Sequence, residues 1–369
     1  MNPSAALRHY PAMHLLRLLL ATLVVWDHAF PLTGRPEPLD PIWHLVSTGG
    51  FAVWTFFFLS GFLVTSSWLS HCDPLRFAVH RIARIWPGLI CALSLTVLLA
   101  LVSTGALWKI ALPGAWAYWA HNVWLIHWIA YFIPGSFPHN PFPGPNGSLW
   151  SLPWEVFAYV FVLGAGILGL LVRRAQANIL LLGALGFLVW SSYHPIIWNA
   201  NGNPFVPYML GEFLLGMLLA VNLSHLLRRH VLGLSFVALL AGILWGDAQG
   251  MRWAMLVFPV LLVYLLSIRP LRQFPDIRQD WSYGTYIYAF PVEQTVIWAL
   301  PGIAPEGVFF VSMPFILAVA AGSWRWVEQP VLRRAKGVVL ASFLPLTARK
   351  HYLHYWQIFQ KKREDNASR

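Results

Sequence analysis

Acidic side chains are scarce in this chain: 14 Asp and Glu stand against 25 Lys and Arg among 369 residues. Charged residues of both signs together make up 11%, where a soluble domain carries roughly 25%. Only two cysteines occur, Cys72 and Cys91, too few for a disulfide framework, and neither lies in a redox or metal spacing. No sequence period of roughly 20–50 residues recurs, which argues against solenoids and repeat arrays. No His, Cys or carboxylate cluster has metal-ligand spacing, so the expectation is no metal and no tightly bound cofactor. No polar stretch is long enough to build an attached soluble domain.

What is abundant is apolar surface. Hydrophobic residues reach 58% and the mean hydropathy is +0.59, the composition of a polytopic membrane protein. The 21 Trp exceed ordinary usage, and many fall near the ends of apolar stretches, where interfacial belts form. These stretches lie near 12–33, 47–70, 84–106, 149–172, 178–194, 206–224, 231–246, 252–268, 282–300 and 308–326. The net charge of +11 is distributed by side rather than gathered into a binding face. With a cytoplasmic N-terminus, Arg76, Arg81, Arg84, Arg173, Arg174, Arg228, Arg229, Arg269, Arg272, Arg278, Arg333, Arg334 and Lys336 all fall inside. Only Arg35, Lys109 and Arg252 then face outward. That asymmetry predicts an all-α integral membrane protein of about ten transmembrane helices, with both termini cytoplasmic. It also argues against a nucleic-acid partner. The first stretch carries Asp27 and His28 and lacks a small-residue cleavage pattern, so it reads as a span rather than a signal peptide.

Arg17 and His28 are ionisable residues within that first apolar stretch. Eleven residues is close to three helical turns, so both point the same way, roughly 16 Å apart along the axis. They read either as two depths of one polar channel or as an anchoring arginine and a capping histidine. Glu155 opens the fourth span and on this topology lies roughly 9 Å in from the outer end. His28 lies roughly 24 Å along a helix that starts inside, so the two come to similar depth and could pair. The other reading of Glu155 is a carboxylate that bonds backbone freed by Pro153. Asp27 projects away from its neighbour, toward outer water or another helix. Glu212 and Glu293 are buried-charge candidates, able to pair with Arg17 or to serve a polar pathway.

Arg81 and Arg84 stand at i and i+3 at the cytoplasmic end of the third span, sharing a face. Two forked cations beside a membrane entrance suit a phosphorylated ligand, though positive-inside anchoring also explains them. Ser60-Gly61 falls mid-membrane on the second span and permits close approach of a helix or ligand. The segment from Leu112 to Pro134 is apolar, but one more crossing there would invert every later loop. It reads as an outer-surface or re-entrant aromatic element, with His121 and His127 at its rim, followed by an irregular loop from Pro134 to Gly147. The tail, 337–369, mixes basic and aromatic residues, as in a helix lying on an anionic leaflet or a disordered end.

Six motifs occur in one order: Arg17 and His28 at R-x10-H spacing, Phe58-Leu59-Ser60-Gly61-Phe62, and Arg81-x-x-Arg84-x-x-Pro87. Trp150-Ser151-Leu152-x-x-Glu155, Ser282-Tyr283-x-x-Tyr286-x-Tyr288-x-Phe290-Pro291 and Trp326-Val327-Glu328-Gln329-Pro330 follow. In this the chain resembles the membrane acyltransferase-3 family, which acylates bacterial surface polysaccharides and lipid-linked saccharides. The resemblance covers Leu15 to Pro330 and implies a membrane domain over 1–336 in the bacterial inner membrane. It implies His28 as general base or transient acyl carrier, and Glu155 as its aid or as an acceptor-binding group. Arg17, Arg81, Arg84 and Ser60 would then meet acetyl-CoA arriving from the cytoplasm, and Glu328 would be architectural. The expected partners are acyl-CoA, a saccharide or lipid-linked glycan acceptor, and membrane lipid. Two departures stand out: there is no room for the C-terminal hydrolase-like domain of larger members, and Ala289 precedes Phe290 where a histidine is common. The competing function is a transporter or flippase of a lipid-linked saccharide or small anion; no two similar halves are visible to support it.

Overall fold

The computed structural model describes residues 12–38, 47–126, 129–192, 205–226, 229–245, 258, 261–263 and 279–342. Among the described residues the regular structure is entirely helical. The main helices are α1 (Ala12–Leu32), α2 (Thr48–His71), α3 (Pro74–Ser103), α4 (Trp108–Asn122), α5 (Leu152–Ile167) and α6 (Arg174–Ser192). They continue as α7 (Val206–Leu226), α8 (Arg229–Trp245), α9 (Ser282–Ala299), α10 (Pro305–Ser323) and α11 (Gln329–Ser342). Seven helical segments among the described residues are long and apolar enough to cross a bilayer. The chain is therefore a polytopic membrane protein, and its lipid-facing perimeter is visible as exposed apolar side chains. Phe157 and Val160 on α5, Ile179 and Trp190 on α6, and Phe310 and Phe315 on α10 all point outward.

Local signals set the helix ends. The Ser47 side chain accepts from the Gly50 amide at the start of α2, and the Asp73 carboxylate accepts from Arg76 at the start of α3. Between them Cys72 adopts a left-handed conformation, φ 47°, and its amide returns to the Trp68 carbonyl. The two-residue connection turns α2 back into α3. Helices α2 and α7 pack closely because Gly61 and Gly216 lie at their crossing. A Cβ at Gly61 would collide with the Phe213 carbonyl, and one at Gly216 with the Phe58 carbonyl. The mid-membrane Ser60-Gly61 pair thus splits its roles: the glycine admits α7, and the serine turns to the interior.

Helix α9 is the central strut. Every residue from Ser282 to Gln294 is buried, and α1, α3 and α10 surround it. A helix enclosed on all sides is an interior helix whatever its polarity, so Tyr283, Tyr286, Tyr288 and Gln294 take their hydrogen-bond partners inside the protein. The 112–134 segment is helical only as far as Asn122, in a 15-residue helix too short to span. Asn122 then receives the returning chain, donating to the Ala130 carbonyl (3.0 Å) and accepting from the Ala130 amide (2.8 Å). His127, most of the 252–268 stretch and the tail beyond 342 lie outside the described residues.

Candidate active site

Helices α1 and α9 run parallel, and they meet through two acid–base pairs. At one end Asp280, just before α9, accepts from Arg17 Nη1 at 2.6 Å and from Arg84 Nη2 at 2.7 Å through the same oxygen. Thirteen residues further along, Glu293 stands 3.6 Å from Nδ1 of His28, which lies eleven residues beyond Arg17. The carboxylate that meets the imidazole is Glu293, not Glu155. Arg17 pairs with Asp280 rather than with Glu212 or Glu293.

The Arg84 end is heavily braced. Glu328 lies 3.6 Å from Arg84 Nη1, and Tyr283 and Trp324 hold their ring faces 5.4 and 5.8 Å from its guanidinium. A single π-helical turn, Trp324–Glu328, joins α10 to α11 and brings Glu328 into this position, where Ser323 donates to it at 2.9 Å. Ser282 donates to the second oxygen of Asp280 at 2.5 Å. Burial alone would raise the Asp280 pKa, but Arg17 and Arg84 outweigh it and hold the carboxyl well below the ordinary range.

Between the helices lies a cavity of about 340 Å³. Arg17, Arg81, Arg84, Ser60 and Glu155 all line it, together with His80 and Lys336, and Phe56, Phe57 and Leu63 supply apolar wall. Five of the six sequence-predicted site residues thus share one chamber; His28 lies beyond its lining. The turn Gly147–Ser151 that precedes α5 is already inside the protein, with Asn146, Ser148 and Leu149 fully buried. Within the cavity the Tyr159 hydroxyl donates to Glu155 and sits 3.3 Å from the Ser60 hydroxyl, while Ser151 and Tyr286 share a bond of 2.8 Å.

One stripe of α9 links the chamber to the histidine. Tyr283 and Tyr286 line the cavity; Phe290 and Glu293 follow at helical spacing on the same face. The Phe290 ring meets the His28 ring edge-on at 5.3 Å and the Phe142 ring at 5.7 Å. Phe142 belongs to the irregular loop after Pro134, which is tied down over this end. Asn140 donates to the Gln294 carbonyl (2.9 Å) and side-chain oxygen (2.7 Å), and Gln294 donates to the carbonyls of Phe142 and Gly144, both at 2.6 Å. Asp27 turns aside and packs on Gly49, where a Cβ would come within 2.7 Å of its carboxyl carbon. Asp280 escaped the sequence reading because it sits in a connection otherwise read for its arginines; its one signal was position, directly before the tyrosine-rich motif.

A helical membrane body with a cation-lined chamber, and a buried imidazole–carboxylate pair further along the same helices, is an arrangement suited to group transfer within a membrane. A family model for an acyltransferase domain matches residues 10–321, so the chain belongs to the acyltransferase-3 family and is a membrane acyltransferase. It is 28% identical over 338 residues to an O-acetyl transferase of Shigella phage Sf6, covering 86% of this chain and 95% of that one. It is also 28% identical over 362 residues to nodulation protein 10 of Rhizobium leguminosarum bv. viciae, covering 90% and 95%. No solved structure gives a significant match.

Proposed function

We propose that this enzyme moves an acetyl group from cytoplasmic acetyl-CoA to a hydroxyl of a surface or lipid-linked saccharide, in a bacterial inner membrane. The observation that carries the reading is the parallel pairing of α1 and α9, which sets an arginine chamber at one end and His28 with Glu293 at the other. The cationic chamber suits the phosphates of the donor. The stripe through Tyr286 and Phe290 offers its thioester-bearing arm a way toward His28, along a wall that carries Ser60 and Glu155. The O-acetyl transferase name of the phage relative supports the acyl group and the oxygen acceptor.

In the chemical step Glu293 holds the imidazole with Nδ1 toward the carboxylate, leaving Nε2 to take a proton. The acceptor hydroxyl loses its proton to Nε2 as its oxygen attacks the thioester carbonyl. The C–S bond breaks, and the departing thiolate recovers the proton from the imidazolium. In the covalent variant Nε2 itself attacks the thioester carbonyl and expels the CoA thiolate; the hydroxyl then attacks the acyl-histidine, the C–N bond breaks, and the hydroxyl proton passes to the thiolate. Mass spectrometry of surface glycans from cells with wild type, His28→Ala or no copy, at matched expression, tests the function. An acetyl-sized increment confined to wild type is expected. Persistence of that increment with His28→Ala would remove the histidine from the mechanism.

A further inference from the structure

The His28 side chain keeps 17% of its surface exposed, yet it does not line the arginine chamber. The imidazole is therefore open on another side, which a donor held in the chamber leaves to the second substrate. Beside the imidazole runs a file of aromatic rings that leads to the surface. The Phe290 ring lies 5.3 Å from that of His28, Phe142 lies 5.7 Å from Phe290, and Phe132 lies 6.4 Å from Phe142. Exposure rises along the file: Phe290 is buried, Phe142 half-buried and Phe132 59% exposed.

The two inner rings occupy space that glycines leave open. A Cβ at Gly144 would strike the Phe142 ring, and one at Gly147 the Phe290 ring. The loop that carries Phe142 is stiffened by Pro134, Pro138, Pro141, Pro143 and Pro145, which fix φ at each position. It is also tied inward. The Phe137 amide donates to the Ser103 hydroxyl at 2.9 Å, and the Asn146 side chain donates to the Ile287 carbonyl at 3.1 Å. Aromatic residues also gather at span ends as interfacial anchors, but those face lipid. This file turns inward to the imidazole, and Phe142 is bonded through its carbonyl to Gln294, the residue after Glu293.

A sugar ring carries hydroxyls round its edge and an apolar face of C–H bonds. An aromatic ring offers that face a flat partner with a negative π surface, at little cost in side-chain freedom. We infer that Phe142, backed by Phe290, is the platform on which a sugar ring of the acceptor stacks, with Phe132 at the entrance. The acceptor then reaches His28 from the loop side, and its edge hydroxyls stay free for one of them to turn to the imidazole. The inference rests on the saccharide-acceptor reading of the same site.

The test uses the full-length protein in nanodiscs, with labelled acetyl-CoA and glycans from cells that lack this chain. The glycans are offered as two fractions, organic-extractable lipid-linked saccharide and delipidated surface polysaccharide. Phe142→Ala and Phe142→Leu are each expected to raise the acceptor KM about tenfold, with the donor KM unchanged. Phe142→Tyr keeps the ring and is expected to restore it. A leucine variant that matches wild type would reduce Phe142 to packing, and an unchanged acceptor KM in both variants would overturn the platform. Should the Phe142 variants fail to fold, Phe132→Leu alters an exposed ring and decides. An acceptor KM about threefold higher supports the file there, and an unchanged one overturns it. The fraction that takes label shows whether the acceptor is lipid-linked or already polymerised, and the platform stands in either case. Label in neither fraction with wild type overturns the saccharide reading itself.

Discussion

The carboxylate of Glu293 lies 3.6 Å from Nδ1 of His28, and neither of its oxygens accepts a hydrogen bond from elsewhere among the described residues. Glu293 is fully buried on the central helix. A carboxylate so enclosed is costly unless it serves the one group it faces. In the proposed mechanism it is the positioning residue, orienting the imidazole and stabilising its charge when the proton arrives.

Glu293→Gln keeps the shape and removes the charge. Acyl transfer is expected to fall by about 100-fold, with KM for the donor little changed, because the lost term belongs to proton transfer. The pH–rate profile of the residual activity should move, since the imidazole loses its charged neighbour. A profile identical to wild type would reduce Glu293 to packing. Glycan acetylation measured across pH in membranes from both strains decides the point.

Asp280 joins three chain segments that are far apart in sequence. Asp280→Asn would leave Arg17 and Arg84 with a neutral partner, and a loss of about 3 kcal/mol of stability is expected. The same bond has a pH sign. The carboxyl is held below its ordinary range in the folded protein, so its contribution is complete above that range. It is lost as pH falls toward the folded-state pKa. Thermal melts in detergent should thus show the gap between wild type and Asp280→Asn narrowing on acidification.

Gly61 and Gly216 set how closely α2 and α7 approach. Alanine at either would drive a methyl group into a backbone carbonyl of the other helix, and backbone cannot swing aside as a side chain can. A cost of about 1–3 kcal/mol per site is expected. The double variant should cost less than the sum, since the first substitution already parts the helices. Melting temperatures of the two single variants and the double variant test this.

Much of this architecture is legible in the residues, and the misses have a common cause. Arg17 and His28 could be placed on one face of one helix because helical periodicity fixes directions within a helix. Periodicity says nothing about which helix lies opposite, so Asp280, 263 positions away from Arg17, had no local signature. Glu155 was matched to His28 by counting residues from a presumed membrane edge. Depth alone does not choose a partner: His28 faces Glu293 on α9, and Glu155 faces the cavity. The apolar stretch after Leu112 carried its own answer in Asn122, a fully buried amide at the point where the chain turns back. The neutralisation of Arg84 depends on a π turn, which composition does not announce.

The loop after Pro134 is pinned to the central helix by a pair of amides, and this gives the last prediction. Gln294 follows Glu293 directly, is fully buried, and spends both its donor hydrogens on the carbonyls of Phe142 and Gly144. Asn140 reaches back to it from the same loop. Whatever reaches His28 from the loop side passes Phe142 and Phe290, whose mutual position these bonds maintain. Gln294→Ala removes the anchor and leaves two carbonyls and the Asn140 amide short of partners, so the loop should loosen rather than the helix unfold. Hydrogen–deuterium exchange is expected to rise several-fold across 134–146 while α9 itself stays protected. Acetylation should fall with it, as the wall beside the imidazole loses its fixed shape. Unaltered exchange in the loop would mean that its own turns hold it, and that the amide pair serves α9 instead.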